Sequence, residues 1–260
     1  MIYPDSLRFT LADVSAKLRR MSSSALSISG LAKSYGTAKA VGGLSLDIAN
    51  GEFFGLVGEN GAGKTTLIKC VLDFCAADAG EIAIFGTNHR ETAARSRIAF
   101  LPERFIPPYY FLGRDFLRYS CELHHVAYDQ ARALEMLAAL ELAADALDKP
   151  VRAYSKGMTQ KLGLAGCLLS GKDLYILDEP TSGLDPKARA LLKRELKAHH
   201  QRGKTLLMTS HALHDVGEMC TRMAVIHRGQ LRYAGTPEAF VSTYGGGSLE
   251  NAYLECISRI

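Results

Sequence analysis

No two cysteines in this 260-residue chain are spaced as Cys-x-x-Cys, and the six present (Cys70, Cys75, Cys121, Cys167, Cys220 and Cys256) follow no repeated interval. That pattern excludes a disulfide scaffold and a cysteine-built metal site. These residues are expected to serve as small buried hydrophobes in a reducing compartment. No apolar run approaches the roughly 20 residues needed to cross a bilayer. The most aliphatic segment, "ARALEMLAALELAADALD" from Ala131, is interrupted by Glu135, Glu141 and Asp145 and reads as an amphipathic helix. If the protein works at a membrane, another molecule brings it there. Basic tracts are missing too: the formal charge is only +4, and lysine and arginine are spread along the chain. Nucleic acid is therefore not an expected partner. The chain has no internal repeat and no low-complexity linker, and its first residues lack the apolar core of a secretory signal.

What is there is a globular balance, 47% hydrophobic and 22% charged, in a chain long enough for one large domain or two small ones. Residues 1–24 read as an N-terminal extension. Within it, "SLRFTLADVSAKLRR" places Leu7, Leu11, Val14 and Leu18 on one helical face. A plain surface helix, or translation beginning at Met21, is expected ahead of an interfacial anchor. Short β-type runs then recur: "ALSISGL" (25–31), "LSLDI" (44–48), "EFFGLVG" (52–58) and "EIAIFG" (81–86). Later come "RIAFLP" (97–102), "LYILDE" (174–179), "TLLMTS" (205–210) and "MAVIHRG" (223–229), separated by helical patterns. Nearly all-apolar strands alternating with helices predict a parallel sheet covered on both faces. From about 111 to 170 the strand signals give way to helical periodicity, as in a helical subdomain inserted into an α/β core. The main domain is expected over 25–241, followed over 242–260 by a glycine hinge and a short helix.

"GENGAGKTT", Gly58 to Thr66, follows an apolar strand and opens a helix, the context that a phosphate-binding loop requires. Gly58, Gly61 and Gly63 let the backbone turn and approach phosphate oxygens, with Glu59, Asn60, Ala62 and Thr66 completing the cradle. Lys64 would place its charge on the β- and γ-phosphates, and the Thr65 hydroxyl suits Mg²⁺. "LYILDEP" delivers Asp178 and Glu179 to the same sheet edge. Asp178 would hold Mg²⁺ and Glu179 would orient and deprotonate an attacking water, because strand alternation points adjacent carboxylates in different directions.

Those two elements describe any P-loop hydrolase; three further motifs narrow the field. "YSKGMTQK" begins with Ser155 in a capping position and leaves donors facing outward, in a geometry suited to an anion. It resembles the signature motif of ABC-type ATPases, with Ser155 and Gly157 at the retained positions. "TSGLDP", Thr181 to Pro186, resembles the D-loop of that family and contains Asp185. "TSH" ends at His211, where the family keeps its switch histidine, and Tyr35 in "KSYG" matches the aromatic that stacks on adenine. Alone, His211 would be an ordinary capping or core histidine and Tyr35 a packing residue. The motifs occur in the family's order, and the resemblance covers about Leu26 to Thr236.

The resemblance implies an α/β fold: a P-loop NTPase core with a mostly parallel sheet, helices on both faces, an antiparallel N-terminal β part and the inserted α-helical subdomain. It also implies ATP and Mg²⁺, and a head-to-tail homodimer (or a pair with a paralogous ATPase subunit) in which Ser155 and Gly157 meet ATP held by the other copy. A separate transmembrane permease, with this chain peripheral on the cytoplasmic face of the membrane, completes the expectation. The chain departs from the family at Lys156 and Met158, where glycine and glutamine are usual, and at Glu103, where glutamine is usual. Glu103 is expected to keep the glutamine's contacts to metal and water and its relay to the permease. The look of "YSKGM" and "LPE" suggests export. A soluble ABC-type ATPase of translation or DNA maintenance is the alternative, disfavoured by a single cassette without a heptad run or cysteine cluster. A regulatory module that binds nucleotide without hydrolysis is disfavoured by the intact Lys64, Asp178, Glu179 and His211.

Overall fold

The computed structural model describes residues 24–259; the amphipathic segment around Leu7–Leu18 lies outside them. Two sheets form. β1 (Ser24–Tyr35) pairs antiparallel with β2 (Ala38–Ala49) and with β4 (Ala79–Ile84), and β4 pairs with the two-residue β5 (Thr87–Asn88). The second sheet runs β10-β9-β3-β8-β7-β6. In it, β3 (Phe53–Val57), β6 (Ile98–Leu101), β7 (Leu174–Asp178), β8 (Thr205–Ser210) and β9 (Arg222–His227) are parallel, while β10 (Gln230–Gly235) returns antiparallel along the edge.

Side-chain alternation explains why the central strands are apolar at every position. Phe53 and Val57 of β3, with Tyr175 and Leu177 of β7, enter one core; Phe54, Leu56, Leu174 and Ile176 enter the other. Both faces are therefore covered, and a strand buried twice has no solvent side on which to place polar residues. The second core is closed by α1 (Lys64–Val71), through Leu67 and Ile68, and by β1 and β2, through Leu26, Ile28, Leu46 and Ile48.

The opposite face carries the helices. After the single turn of α2 (Thr92–Arg95) and strand β6 come α3 (Gly113–Leu123), α4 (Gln130–Ala139), two 3₁₀ turns (Ala144–Asp148, Val151–Ala153) and α5 (Lys156–Leu169). The aliphatic segment from Ala131 is not one helix. Leu140 ends α4, Glu141 takes a left-handed conformation (φ 49°), and Asp145 lies in the first 3₁₀ turn. Local capping wins there because the Glu141 and Leu142 N–H groups fold back onto Ala138 O and Leu137 O. α3 and α5 meet at glycines: a Cβ on Gly166 would sit 2.9 Å from Ser120 Oγ, and one on Gly163 would sit 2.6 Å from the ring of Phe105. Phe105 thus seats in a notch of α5 while stacking edge-on against Phe116 of α3, ring centroids 5.3 Å apart.

α6 (Pro186–Gln201), α7 (Leu213–Met219), α8 (Pro237–Tyr244) and α9 (Leu249–Ser258) complete the layer, with Gly245, Gly246 and Gly247 all at positive φ between the last two. α6 is tied to α7 by Lys193, whose ammonium lies 2.6 Å from Asp215 and 2.7 Å from Glu218. Lys197 adds a second contact to Glu218 at 3.0 Å. Hydrogen bonds from Lys193 and then Lys197 lower the Glu218 carboxyl from 4.5 to about 2. A carboxylate whose pKa is depressed on folding stabilises above its unfolded pKa and loses that contribution as the pH falls through the folded value. Glu218 is 41% exposed, so the contribution is about 1 kcal/mol or less. Urea midpoints measured between pH 4.5 and about 2 should fall more shallowly for Glu218→Gln than for the wild type.

Candidate active site

Because β3, β6, β7 and β8 are parallel, their C-terminal ends leave the sheet at one edge. The phosphate loop leaves β3, Glu103 follows β6, Asp178 and Glu179 end β7, and His211 follows β8. Side chains far apart in sequence converge for that topological reason.

The loop is held tightly from behind. A Cβ on Gly58 would lie 2.4 Å from Ile226 O, and one on Gly63, at φ 110°, would lie 2.4 Å from Ala40 O. Ala62 N–H donates to Glu59 O at 3.1 Å, and Gly229 N–H donates to Ala62 O at 2.9 Å. α1 begins at Gly63 with no side-chain cap, so the first N–H groups of the helix keep their donor capacity for an anion. Lys64 is buried, its ammonium donating to Gly58 O at 2.5 Å and Glu59 O at 3.2 Å and standing 3.7 Å from Glu179 Oε1.

The carboxylates are organised by a residue that the motifs do not single out. Thr209, fully buried on β8 and in register with Asp178, donates to Asp178 Oδ1 at 2.6 Å and accepts from Glu179 N–H at 2.9 Å. It orients one carboxylate and pins the backbone of the next, where Glu179 takes the left-handed conformation (φ 49°). That turn sends the Glu179 side chain back across the strand end. Its Oε2 lies 2.8 Å from His211 Nδ1, whereas Oε1 is buried without a hydrogen-bond partner. "TSH" places Thr209 two residues before His211, but only the cross-strand register pairs it with Asp178. Thr65 Oγ1 donates to Asp178 Oδ2 at 3.3 Å.

A cavity of about 130 Å³ gathers these groups. Glu59, Asn60, Gly61, Gly63, Lys64, Thr65 and Thr66 form its floor, Asp178, Glu179 and Glu103 its far wall, and Ala40 of β2 its rim. Gly58 and Ala62 underlie the loop, and His211 joins through Glu179. Tyr35, half exposed at the end of β1, stands beside this cavity, with its hydroxyl 3.7 Å from Cys75 Sγ and in reach of Thr66. Ser155, Gly157 and Asp185 lie outside the cavity lining. Ser155 caps α5 by accepting from Met158 N–H at 3.2 Å, and Asp185 caps α6 by accepting from Ala188 N–H at 2.9 Å. The hydrogen bond from Ala188 also holds the Asp185 carboxyl below its usual range. A Cβ on Gly157 would touch nothing nearer than Ser155 Oγ at 4.0 Å, so packing within this chain does not demand glycine there. Lys156 does not face the phosphate cavity: its ammonium lies 2.8 Å from where a Cβ on Gly183 would stand.

Residues 41–182 match the family model described as ABC transporter. The chain belongs to the ABC transporter family. It is 38% identical over 229 residues to the Nod factor export ATP-binding protein I of Paraburkholderia xenovorans, an alignment covering 86% of this chain and 74% of that protein. It is 35% identical to the daunorubicin resistance ATP-binding protein DrrA3 of Streptomyces coeruleorubidus, covering 88% and 74%. Among solved structures it resembles the ATP-binding subunit of an ABC transporter, with a TM-score of 0.83, 26% identity, and coverage of 89% and 99%. A dimeric ATP-binding cassette bound to ADP and Pi shares the fold, with a TM-score of 0.74 and 20% identity over 81% of this chain and 98% of that one. The protein is thus the ATP-binding subunit of an ABC transporter and an ATP hydrolase.

In this ABC subunit, Thr209→Val should leave the buried Glu179 N–H and the Asp178 carboxylate short of a partner. Thermal unfolding should register a loss of about 1–3 kcal/mol, and a phosphate-release assay should register slower hydrolysis. Thr209→Ser, which keeps the hydroxyl, should restore most of both.

Proposed function

We propose that two copies of this chain close around two ATP molecules and reopen after hydrolysis, driving a separate permease that exports its cargo. The observation that carries the reading is the division of the motifs. The phosphate loop and the carboxylates share one cavity, while Ser155 and Gly157 sit at the exposed start of α5, outside its lining. A second copy, related by a twofold axis, supplies the missing half of each pocket.

The family resemblance and the geometry of the cavity support the following roles. Lys64 and the N–H groups of Gly61 to Thr66 bind the β- and γ-phosphates, and Tyr35 stacks on adenine. Glu179 Oε1, buried and without a hydrogen-bond partner, takes the proton of the attacking water, while His211 fixes Oε2. Ser155, Gly157 and Asp185 act on the partner's nucleotide. Thr65 Oγ1 and Asp178 Oδ2, 3.3 Å apart, form an all-oxygen donor pair, a set that fits Mg²⁺ completed by phosphate oxygens and water. Thr65 and Asp178 would hold the ion, with Glu103 on the facing wall, and it would supply charge neutralisation at the phosphates.

If each ATP favours the closed pair about a hundredfold, that is roughly 2.7 kcal/mol per site. Two sites reach about 10⁴, near the ~5.5 kcal/mol that swings a two-state balance from 1:99 to 99:1. Loss of the γ-phosphate removes much of that preference.

The permease contact lies where the loop after β6 meets the helical layer. A groove of about 590 Å³ runs between Glu103–Pro107 and the segment from Val151 to Gln160, with Ile106 85% exposed and Tyr109 68% exposed beside it. Glu103 faces both this groove and the nucleotide cavity, so it is the relay between them. Among the described residues no helix is long and apolar enough to cross a membrane. Export is favoured by the relatives named for Nod factor export and daunorubicin resistance.

Glu179→Gln should trap an ATP-bound dimer on gel filtration; elution as monomer only would count against the reading. Glu103→Ala should reduce Mg²⁺-dependent hydrolysis, and a rate equal to wild type would remove Glu103 from the site.

A further inference from the structure

Cys70 and Cys75 are separated by four residues in sequence but are neighbours in space. α1 ends at Val71, Asp73 takes a left-handed turn (φ 60°), and the N–H groups of Phe74 and Cys75 both fold back onto Lys69 O, at 2.8 and 3.3 Å. The chain thereby doubles onto the last turn of the helix and brings Cys75 Sγ to 3.5 Å from Cys70 Sγ. Cys70 is buried and Cys75 only partly so. On its other side, Cys75 Sγ is 3.7 Å from the hydroxyl of Tyr35, and the Lys33 ammonium lies 5.5 Å from that ring. Cys75 thus stands between the buried Cys70 and Tyr35, the residue read above as the adenine platform.

We propose that Cys70 and Cys75 are an oxidisable pair, converted by hydrogen peroxide to a disulfide that withdraws Cys75 from Tyr35 and weakens nucleotide binding. Cys75, the accessible sulfur, attacks one peroxide oxygen as thiolate. The O–O bond breaks, giving Cys75 sulfenic acid and hydroxide, which leaves as water after taking a proton. Cys70 sulfur then attacks the sulfenic sulfur, the S–O bond breaks, and a second water departs with the Cys70 proton. The two sulfurs lose an electron pair and peroxide gains it. Burial pushes the Cys70 thiol up to about 12, which leaves the first attack to Cys75; Cys70 follows as the resolving sulfur because it stands next to it. A disulfide needs sulfurs about 2.05 Å apart, so the pair must close by about 1.5 Å. Cys70 is packed inside the core and Cys75 is not, so Cys75 moves inward and Tyr35 loses its neighbour.

The effect on binding rests on the reading of Tyr35 as the adenine platform; the disulfide itself does not. The test treats the reduced full chain with hydrogen peroxide and maps non-reduced peptides by mass spectrometry. Binding of a fluorescent ATP analogue is measured on the same samples. A Cys70–Cys75 linked peptide is expected, with affinity roughly fivefold weaker, about the worth of one neutral hydrogen bond, and restored by dithiothreitol. Cys75→Ser should show equal affinity before and after peroxide, and Cys70→Ala should stop at a Cys75 sulfenic acid that dimedone traps. Absence of the linked peptide overturns the proposal. If the peptide forms and affinity holds while Tyr35→Ala still weakens binding, the switch fails and the platform reading survives. If Tyr35→Ala leaves binding intact, the platform reading fails and the oxidisable pair stands without its effect on nucleotide.

Discussion

Parallel pairing of β3, β8 and β7, with both faces of each strand buried, is the constraint on which the remainder of this subunit depends. The register sets Val57 beside Ser210 and Asp178 beside Thr209, so the strand ends are level to within a residue. A slip of one position would exchange the two cores, since every side chain would change face. The same register that seats these side chains in their two cores also brings the Gly58–Thr66 loop, both carboxylates and His211 to one rim. Fold and chemistry are specified by the same residues.

On that rim, order is transmitted through hydrogen bonds rather than through charge pairing alone. Thr209 is the hub: it fixes Asp178 by donation and the Glu179 backbone by acceptance. The left-handed turn at Glu179 is tolerable because its N–H is anchored this way. Lys64, meanwhile, is surrounded by two of the loop's own carbonyls and faces Glu179, which together compensate its desolvated charge.

Much of this was legible in the sequence. The all-apolar runs give the strands, and the glycines with Lys64 and Thr65 give the loop, because short-range patterns report local geometry directly. Four things were not legible. Thr209 acts through cross-strand register, a relation between residues some thirty positions apart that no local pattern encodes. The aliphatic stretch from Ala131 looked continuous, yet capping at Leu140 and the left-handed Glu141 break it. The proximity of Cys70 and Cys75 depends on a turn at Asp73, which is not a glycine and so carried no signal. The β10 edge strand also escaped, being only partly buried and carrying no continuous apolar run.

The seat of Phe105 in the notch at Gly163 has a mechanical consequence. An aromatic ring lodged against a helix backbone leaves no slack in either direction along the helix axis. The segment after Glu103 is thereby packed directly against the backbone of α5, the helix whose N-terminal end Ser155 caps. A side chain at 163 would push the Phe105 ring out of its notch and so loosen the aromatic wedge between that segment and the helix.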